Sequence, residues 1–179
     1  MTEDINKYVK ETLKLRDLLP VFIEFDRASQ LKTIQLYPSV IAILKSVVKP
    51  EHIDKVEEFD IETTTAIVEH FKQKIPLDKI IKLLHNEKVD ANPDIVAQYA
   101  KEKIKIKDMQ VIFDYFDKQI QTNTPNLYST ITAMVRAVLR EDIGLNPEDL
   151  EINDAFELVA YAMTKIDINR IQTLLLFLT

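Results

Sequence analysis

The chain has 179 residues, a net charge of −6, an apolar fraction of 46% and no cysteine. A chain of this length buries about 70% of the surface of its unfolded form, so it can fold around an apolar core without disulfides or bound metal. The absence of cysteine excludes a disulfide framework, thiolate metal sites and a thiol nucleophile. The acidic charge argues against general nucleic-acid binding, which needs clustered positive charge.

The glycine content is the most informative number in the composition. Gly144 is the only glycine, whereas average usage of about 7% predicts about a dozen. Tight hairpins and phosphate-binding loops depend on glycine because it adopts positive φ angles without strain. The sequence therefore predicts an all-α fold and argues against a strand meander or a nucleotide-binding loop.

Targeting signals are absent from the sequence as given. The first residues carry acids where a signal peptide carries bases, and no apolar segment follows them. The longest apolar run, Leu174 to Leu178, is far shorter than the roughly 20 residues of a membrane span. We therefore expect a cytoplasmic protein with no membrane contact.

The first part of the chain predicts several helices of different clarity. Apolar residues at helical spacing predict a first helix over 4–16. The segment 21–25 has the β-branched and aromatic content of a strand, but no second strand is available to pair with it, so a helix opening at Pro20 is favoured. A helix is then expected over 27–37, with Pro38 interrupting it.

Capping signals mark the helices in the middle of the chain. Pro50 opens a short acidic helix, and Asp60 is predicted to cap the next one, whose inward-facing stripe begins with Ile61. Another helix starts near Pro76 and ends near Asn86. The triplet Asn92-Pro93-Asp94 is a strong start signal, since Asn caps and Pro fits the first helical position.

The second part contains the most regular helical pattern. Asp108 is predicted to cap a helix, and Thr124-Pro125 opens a helix whose apolar residues keep helical spacing without interruption. Gly144 stands where a left-handed residue ends a helix, with Leu145 expected to pack back on it. Two final helices are expected over 153–164 and 167–178.

These elements predict an irregular bundle of about eight to ten helices in one domain over 1–179, with a weak subdivision near 86–92. Helix starts recur at intervals of 17–20 residues, so a HEAT-like solenoid of helical hairpins is the minor alternative. No side-chain pattern repeats at that spacing.

Residue patterns that carry chemistry are missing. The histidines, His52, His70 and His85, lack the spacing of a helical zinc site, and each is expected at the surface or at a helix end. Asp114 and Asp117 share one helix face, as any charged outer face would produce. We therefore predict no catalytic residue, cofactor or metal site.

Two segments are candidate binding surfaces. The C-terminal segment is too apolar for a helix with one buried side, so it is either core or a surface for a partner or for self-association; the residues concerned are Ile171, Leu174, Leu175, Phe177 and Leu178. A weaker candidate is a basic patch for nucleic acid, formed by Lys101, Lys103, Lys105 and Lys107.

Three hypotheses about function follow. The favoured one is a non-enzymatic protein-interaction or assembly module that binds a protein partner or itself. In overall composition the chain resembles small acidic helical chaperones of phage and virus assembly, and this resemblance implies an assembly role. The alternatives are a nucleic-acid-associated regulator using Lys101 to Lys107, and a helical enzyme or ligand-binding protein with a composite pocket.

Overall fold

The computed structural model describes residues 4–122 and 126–167. Across them the secondary structure is helical, with only isolated β-bridges between extended residues, which confirms the all-α prediction. The α-helices of the described residues are α1 (Leu19–Leu31), α2 (Leu36–Val47), α3 (Ile61–Lys74), α4 (Leu77–Leu84), α5 (Pro93–Tyr99), α6 (Gln110–Thr122), α7 (Leu127–Val138) and α8 (Ile152–Lys165). Shorter 3-10 segments are Ile5–Lys7, Leu15–Leu18, Pro50–Glu58, Ile106–Met109, Glu141–Ile143 and Pro147–Asp149.

The expected helix over 4–16 is wrong. Short 3-10 turns at Ile5–Lys7 and Leu15–Leu18 flank an extended segment. In this segment the Lys10 amide donates to the Val47 carbonyl at 2.9 Å. The Lys49 amide donates in turn to the Tyr8 carbonyl at 2.8 Å, so the segment bonds to the end of α2 in place of forming a helix, and Val9 is buried there.

The helix predicted at 21–25 is confirmed, but the next boundary lies elsewhere. α1 includes Pro20 in its first turn and ends at Leu31, and Lys32 adopts a left-handed conformation with φ 53°. Pro38 lies inside the first turn of α2 and does not interrupt a helix. That position tolerates proline because first-turn amides have no partner within the helix.

Several predicted caps are present. The Asp60 carboxylate accepts a hydrogen bond from the Thr63 amide at 2.7 Å, and the Asn92 side chain accepts one from Asp94 at 3.0 Å. Gly144 has a φ of +68°, as expected for a left-handed residue. Leu145, expected to pack back beside it, is exposed.

The structure corrects two details of the capping pattern. Asp108 does not cap α6 but lies at the third position of the preceding turn Ile106–Met109, where its carboxylate accepts from the Lys105 amide at 2.8 Å. Ile61 is exposed, and the buried side of α3 consists of Thr63, Ile67 and Phe71.

The core is centred on α8, which the sequence predicted over 153–164. This helix packs against α4, α5 and α7. The Tyr161 hydroxyl at its buried side donates to the Lys101 carbonyl at 2.6 Å. α8 is therefore enclosed on several sides, and its buried residues are Ile152, Ala155, Phe156, Leu158, Val159, Ala160, Tyr161 and Ala162.

The chain contains two tandem copies of one unit, which the sequence reasoning missed. Repeat 1 is residues 5–86, and repeat 2 is residues 96–177. Each residue of repeat 2 follows its counterpart by 91 positions, without insertion or deletion. Identical pairs include Tyr8/Tyr99, Lys10/Lys101, Lys14/Lys105, Asp17/Asp108, Phe22/Phe113, Asp26/Asp117, Leu36/Leu127, Tyr37/Tyr128, Glu57/Glu148, Ile61/Ile152 and Val68/Val159.

The structure repeats with the same offset. The bounds of α1, α2 and α3 become those of α6, α7 and α8 when 91 is added to each number, and the turn Leu15–Leu18 becomes Ile106–Met109. The bridge between Val9 and Val48 likewise recurs between Ala100 and Leu139. The repeat period is therefore 91 residues, much longer than the 17–20 residues between helix starts that would indicate a HEAT-like solenoid.

A partly buried lysine links the same two segments in each repeat. The Lys10 ammonium donates to Asp17 at 3.0 Å and to the Ser46 carbonyl at 3.2 Å. Its counterpart Lys101 donates to Asp108 at 2.8 Å and to the Ala137 carbonyl at 3.3 Å. These lysines hold the extended segment against the end of the second helix of each repeat.

Residues 87–95 link the two repeats, and the weak subdivision near 86–92 stays a prediction. The single domain over 1–179 stays a prediction, and the contact between the repeats described below supports it.

Candidate interaction surfaces

The two repeats meet through a short antiparallel pairing of backbone. The Leu15 amide donates to the Leu150 carbonyl, and the Ile152 amide donates to the Leu13 carbonyl, each at 2.8 Å. Between these bonds lie Lys14 of repeat 1 and Glu151 of repeat 2, which form the bridge. The four apolar residues that flank this bridge are buried: Leu13, Leu15, Leu150 and Ile152.

The contact continues where α1 of repeat 1 packs on α7 of repeat 2. The rings of Phe22 and Tyr128 lie 5.9 Å apart between centroids. The Asp26 carboxylate accepts from the Leu127 amide at 3.2 Å, so repeat 1 places a carboxylate at the N-terminus of a repeat 2 helix. Burial raises the pKa of Asp26, while this backbone hydrogen bond opposes that rise.

Charged and polar groups surround the contact. Arg16 pairs with Asp149 across the repeats. Tyr128 also interacts with Glu148, and burial, followed by the charge of that carboxylate, raises the pKa of Tyr128 to about 12. The same tyrosine–glutamate pair exists in repeat 1, where the Tyr37 hydroxyl donates to Glu57 at 2.6 Å.

The contact is heterologous, because the repeats contribute different parts of the shared unit. Repeat 1 contributes the segment around 13–26, and repeat 2 contributes α7 and the residues around 148–152. An isologous contact would use the same part on both sides. Each repeat therefore has one counterpart surface that the internal contact does not use.

We name these two surfaces by their most exposed apolar residues. The Ile106 face, on repeat 2, consists of Ile104, Lys105, Ile106, Lys107, Phe113 and Asp117. The Ile61 face, on repeat 1, consists of Leu36, Tyr37, Glu58, Phe59, Asp60 and Ile61.

Exposure separates these residues sharply from their buried counterparts. Leu15 is 0% exposed and Ile106 is 77% exposed; Ile152 is 2% exposed and Ile61 is 82% exposed. Leu36 is 81% exposed, whereas Leu127 is partly buried. The same position of one unit is thus core in one repeat and open surface in the other.

The four lysines of the predicted basic patch lie in different environments. Lys101 forms an ion pair with Asp108, and its side chain is only 19% exposed. The hydrogen bond from Lys101 and the Lys105 amide lower the pKa of Asp108, which keeps this carboxylate charged. Lys103, Lys105 and Lys107 are exposed, and they lie on or beside the Ile106 face.

The predicted C-terminal surface, Ile171, Leu174, Leu175, Phe177 and Leu178, lies outside the described residues. In the sequence alignment of the repeats, Ile171, Leu174 and Leu175 correspond to Ile80, Leu83 and Leu84.

A cavity of about 350 Å³ lies between the repeats. Its walls are mainly apolar and come from α4 of repeat 1 and from α6, α7 and α8 of repeat 2. Lys88 and Asp167 provide its charged groups. Residues on its walls include Ile80, Leu83, Phe116, Ile131, Met134 and Phe156.

His70 is less exposed than the sequence predicted. Its Nε2 atom is buried and has no hydrogen-bond partner among the described residues. Burial, and then the charge of Lys74, lower the pKa of this imidazole. His70 lies beside Ile5 and Glu69 in a shallow depression of the surface.

Neither metal binding nor membrane insertion finds support in the described parts of the chain. Residues 4–122 and 126–167 hold no group of three or more histidine or acidic side chains arranged to bind a metal ion. Among the helices that the structure describes, none has the length and apolarity needed to cross a membrane.

No family model, curated protein or solved structure matches the chain. The evidence for a functional surface therefore comes from the internal repeat. Comparing the sequence with itself at an offset of 91 would have shown the repeat, but the exposure of its two unused faces requires the structure.

Proposed function

We propose that this chain is a non-enzymatic protein-interaction or assembly module, and that the Ile61 and Ile106 faces are its binding surfaces. The observation that carries the proposal is the exposure of apolar residues at positions that the other repeat buries. Terminal units of repeat proteins normally carry polar outer faces, because an open apolar face promotes association. Each of these two faces combines exposed apolar residues with charged ones.

The charged residues support protein recognition as the role of these faces. A protein interface combines an apolar centre with polar groups at its rim. Ile106 stands among lysines, and Ile61 stands near Glu58 and Asp60. The acidic helical composition, which resembles that of phage and virus assembly chaperones, fits the same function in the cytoplasm.

Affinity purification of the tagged chain from its native host, followed by mass spectrometry, tests the proposal. Ile61→Asp and Ile106→Asp should each remove a stoichiometric partner, because a buried unpaired carboxylate is costly in an apolar interface. Ile23→Asp is the matched control, since Ile23 is exposed on α1 outside both faces and its counterpart is Asp114. Retention of every partner by both face variants would contradict the proposal.

The cavity between the repeats favours a second candidate function, the binding of a small apolar ligand. Its volume of about 350 Å³ lies within the range of ligand pockets. A ligand that binds only the folded chain raises its melting temperature. A screen of metabolites and metal ions by thermal shift would therefore reveal this function, and Met134→Trp, which fills the cavity, should abolish the shift.

Nucleic-acid binding is the weaker alternative, since Lys101 is held by Asp108 and only the neighbouring lysines are available. It would be recognised by an affinity that falls steeply with salt as counterions are released.

A further inference from the structure

The two faces complement each other as the two sides of the internal contact do. Four pairs of residues face each other within that contact, and each has a chemically matching pair divided between the Ile106 face and the Ile61 face. The internal pairs and their counterparts are Lys14–Glu151 with Lys105–Asp60, Arg16–Asp149 with Lys107–Glu58, Phe22–Tyr128 with Phe113–Tyr37, and Asp26–Leu127 with Asp117–Leu36.

The sign of the charge is the same at each of the charged positions in the two pairs nearest the bridge. At these positions Lys105 and Lys107 lie on the Ile106 face and Asp60 and Glu58 lie on the Ile61 face, so they attract across the proposed contact, whereas two copies of one face would bring like charges together there. The aromatic pair is retained without change, as are the aspartate and the leucine at the N-terminus of the helix. The apolar residues near the bridge change only among Leu, Ile and Phe.

The N-terminus of α2 supports the same complementarity. Gln35 precedes this helix and makes no side-chain cap. In α7 the corresponding end receives the Asp26 carboxylate from the other repeat. Asp117 of another molecule is chemically equivalent to Asp26, so it can provide the missing carboxylate at the Leu36 amide.

From this complementarity we infer that copies of the chain associate head to tail, the Ile106 face of one molecule binding the Ile61 face of the next. The partner of the proposed interaction module is therefore a second copy of this chain, and the inference rests on that proposed function. The new contact reproduces the contact between repeat 1 and repeat 2. Its repetition gives a ring where the rotation closes and a filament where it does not.

The contact between molecules is weaker than its internal template. Within one chain the linking residues 87–95 keep the two repeats together, and this raises their effective concentration. Two separate molecules lack that link. Assembly is therefore concentration-dependent, and it weakens with added salt because exposed ionic pairs are screened.

Light scattering across a range of protein concentrations tests the inference. The unmodified chain should increase in mass with concentration, while Ile61→Asp and Ile106→Asp should each stay monomeric. These variants should fold normally because both side chains are more than three-quarters exposed. Ile23→Asp should assemble as the unmodified chain does.

Mixing the two face variants distinguishes head-to-tail contact from other arrangements. Ile61→Asp retains an intact Ile106 face, and Ile106→Asp retains an intact Ile61 face. Their mixture should therefore form a 1:1 dimer and grow no further. A mixture that stays monomeric, or either variant forming dimers alone, would overturn the head-to-tail arrangement.

Cysteine cross-linking provides an independent measurement, because the chain has no cysteine of its own. Lys14 and Glu151 form a bridge without direct hydrogen bonds, a pairing that places Cα atoms about 4.5 Å apart, within disulfide range. The double variant Lys14→Cys/Glu151→Cys calibrates this geometry within one chain. Lys105→Cys mixed with Asp60→Cys should form a disulfide-linked dimer at least tenfold faster than Lys105→Cys alone.

The outcomes also separate this inference from the proposed function. A chain that stays monomeric to about 1 mM and gives no mixed disulfide overturns head-to-tail self-association. If the face variants nevertheless lose a stoichiometric partner from the host, the interaction-module proposal survives with a different partner. If they lose none, both fail.

Discussion

Replacing Leu15 with alanine should destabilise the fold far more than the same change at its counterpart, Ile106. Both residues occupy the same position in the repeated unit, at the start of the same 3-10 turn. Leu15 is fully buried at the contact between repeats, whereas Ile106 is largely exposed. Because the two residues begin equivalent turns, the difference between the two variants reports the stabilisation that comes from the contact between the repeats.

The expected magnitudes differ severalfold. Truncating a fully buried leucine to alanine costs roughly 2–5 kcal/mol of unfolding free energy, through lost burial and the remaining cavity. A substitution at an exposed position usually changes stability by less than about 0.5 kcal/mol. With a urea m value of about 2 kcal/mol/M, the midpoint should fall by about 1–2.5 M for Leu15→Ala and by less than about 0.25 M for Ile106→Ala.

Urea unfolding followed by far-ultraviolet circular dichroism would measure both midpoints. Protein concentrations below about 1 μM keep molecules apart, so association does not stabilise either variant. An unchanged m value would show that only stability has changed. Equal midpoints for the two variants would refute the reasoning, because they would mean that the contact between repeats does not bury Leu15 in solution.

Three further predictions follow from the electrostatics of the fold. Asp26→Ala should cost roughly 1 kcal/mol, since it removes a carboxylate from a helix N-terminus, and Asp117→Ala should cost less than half as much in the same urea assay. Lys101→Met should cost roughly 1–3 kcal/mol at pH 7 by removing a charged hydrogen bond. The pKa of Asp108 is lowered in the folded chain, so this stabilisation is present above the ordinary aspartate pKa and is lost as pH falls through the lowered value; the urea midpoints of variant and unmodified chain should therefore converge as the solution becomes more acidic than that pKa. Burial lowers the pKa of His70, so the stability of the fold should decline as pH falls below about 6.5, where the unfolded chain takes up the proton more readily. In His70→Phe the melting temperature should therefore change less between pH 7 and pH 5 than in the unmodified chain. An equal change in both proteins would assign the effect to other groups.

The fold class and many helix ends could be predicted from sequence because their causes are local. Gly144 as the only glycine excludes tight hairpins, and Asp60 and Asn92 cap the helices that directly follow them. The extended segment around Val9 could not be predicted, because its hydrogen bonds go to the end of α2. Its apolar spacing fits a helix, and tertiary contacts override that preference.

The candidate faces show a different limit of sequence reasoning. Ile61 and Ile152 are identical residues that begin equivalent helices, yet one is exposed and the other buried. No local pattern distinguishes them, because the difference arises from the presence of repeat 1 beside repeat 2. The sequence predicts a basic patch from the lysines around Ile106, but their relation to the acids near Ile61 depends on the repeat.

The Ile106 face and the Ile61 face differ in the sign of the charges that lie on or beside them. Lys103, Lys105 and Lys107 stand at one face, and Glu57, Glu58 and Asp60 lie on or beside the other. The charges at each face act on approaching charged molecules at distances up to about a Debye length, roughly 10 Å at 0.1 M salt. In the proposed head-to-tail association, the opposite signs at the two faces would therefore speed the encounter of two copies and favour the orientation in which the Ile106 face meets the Ile61 face.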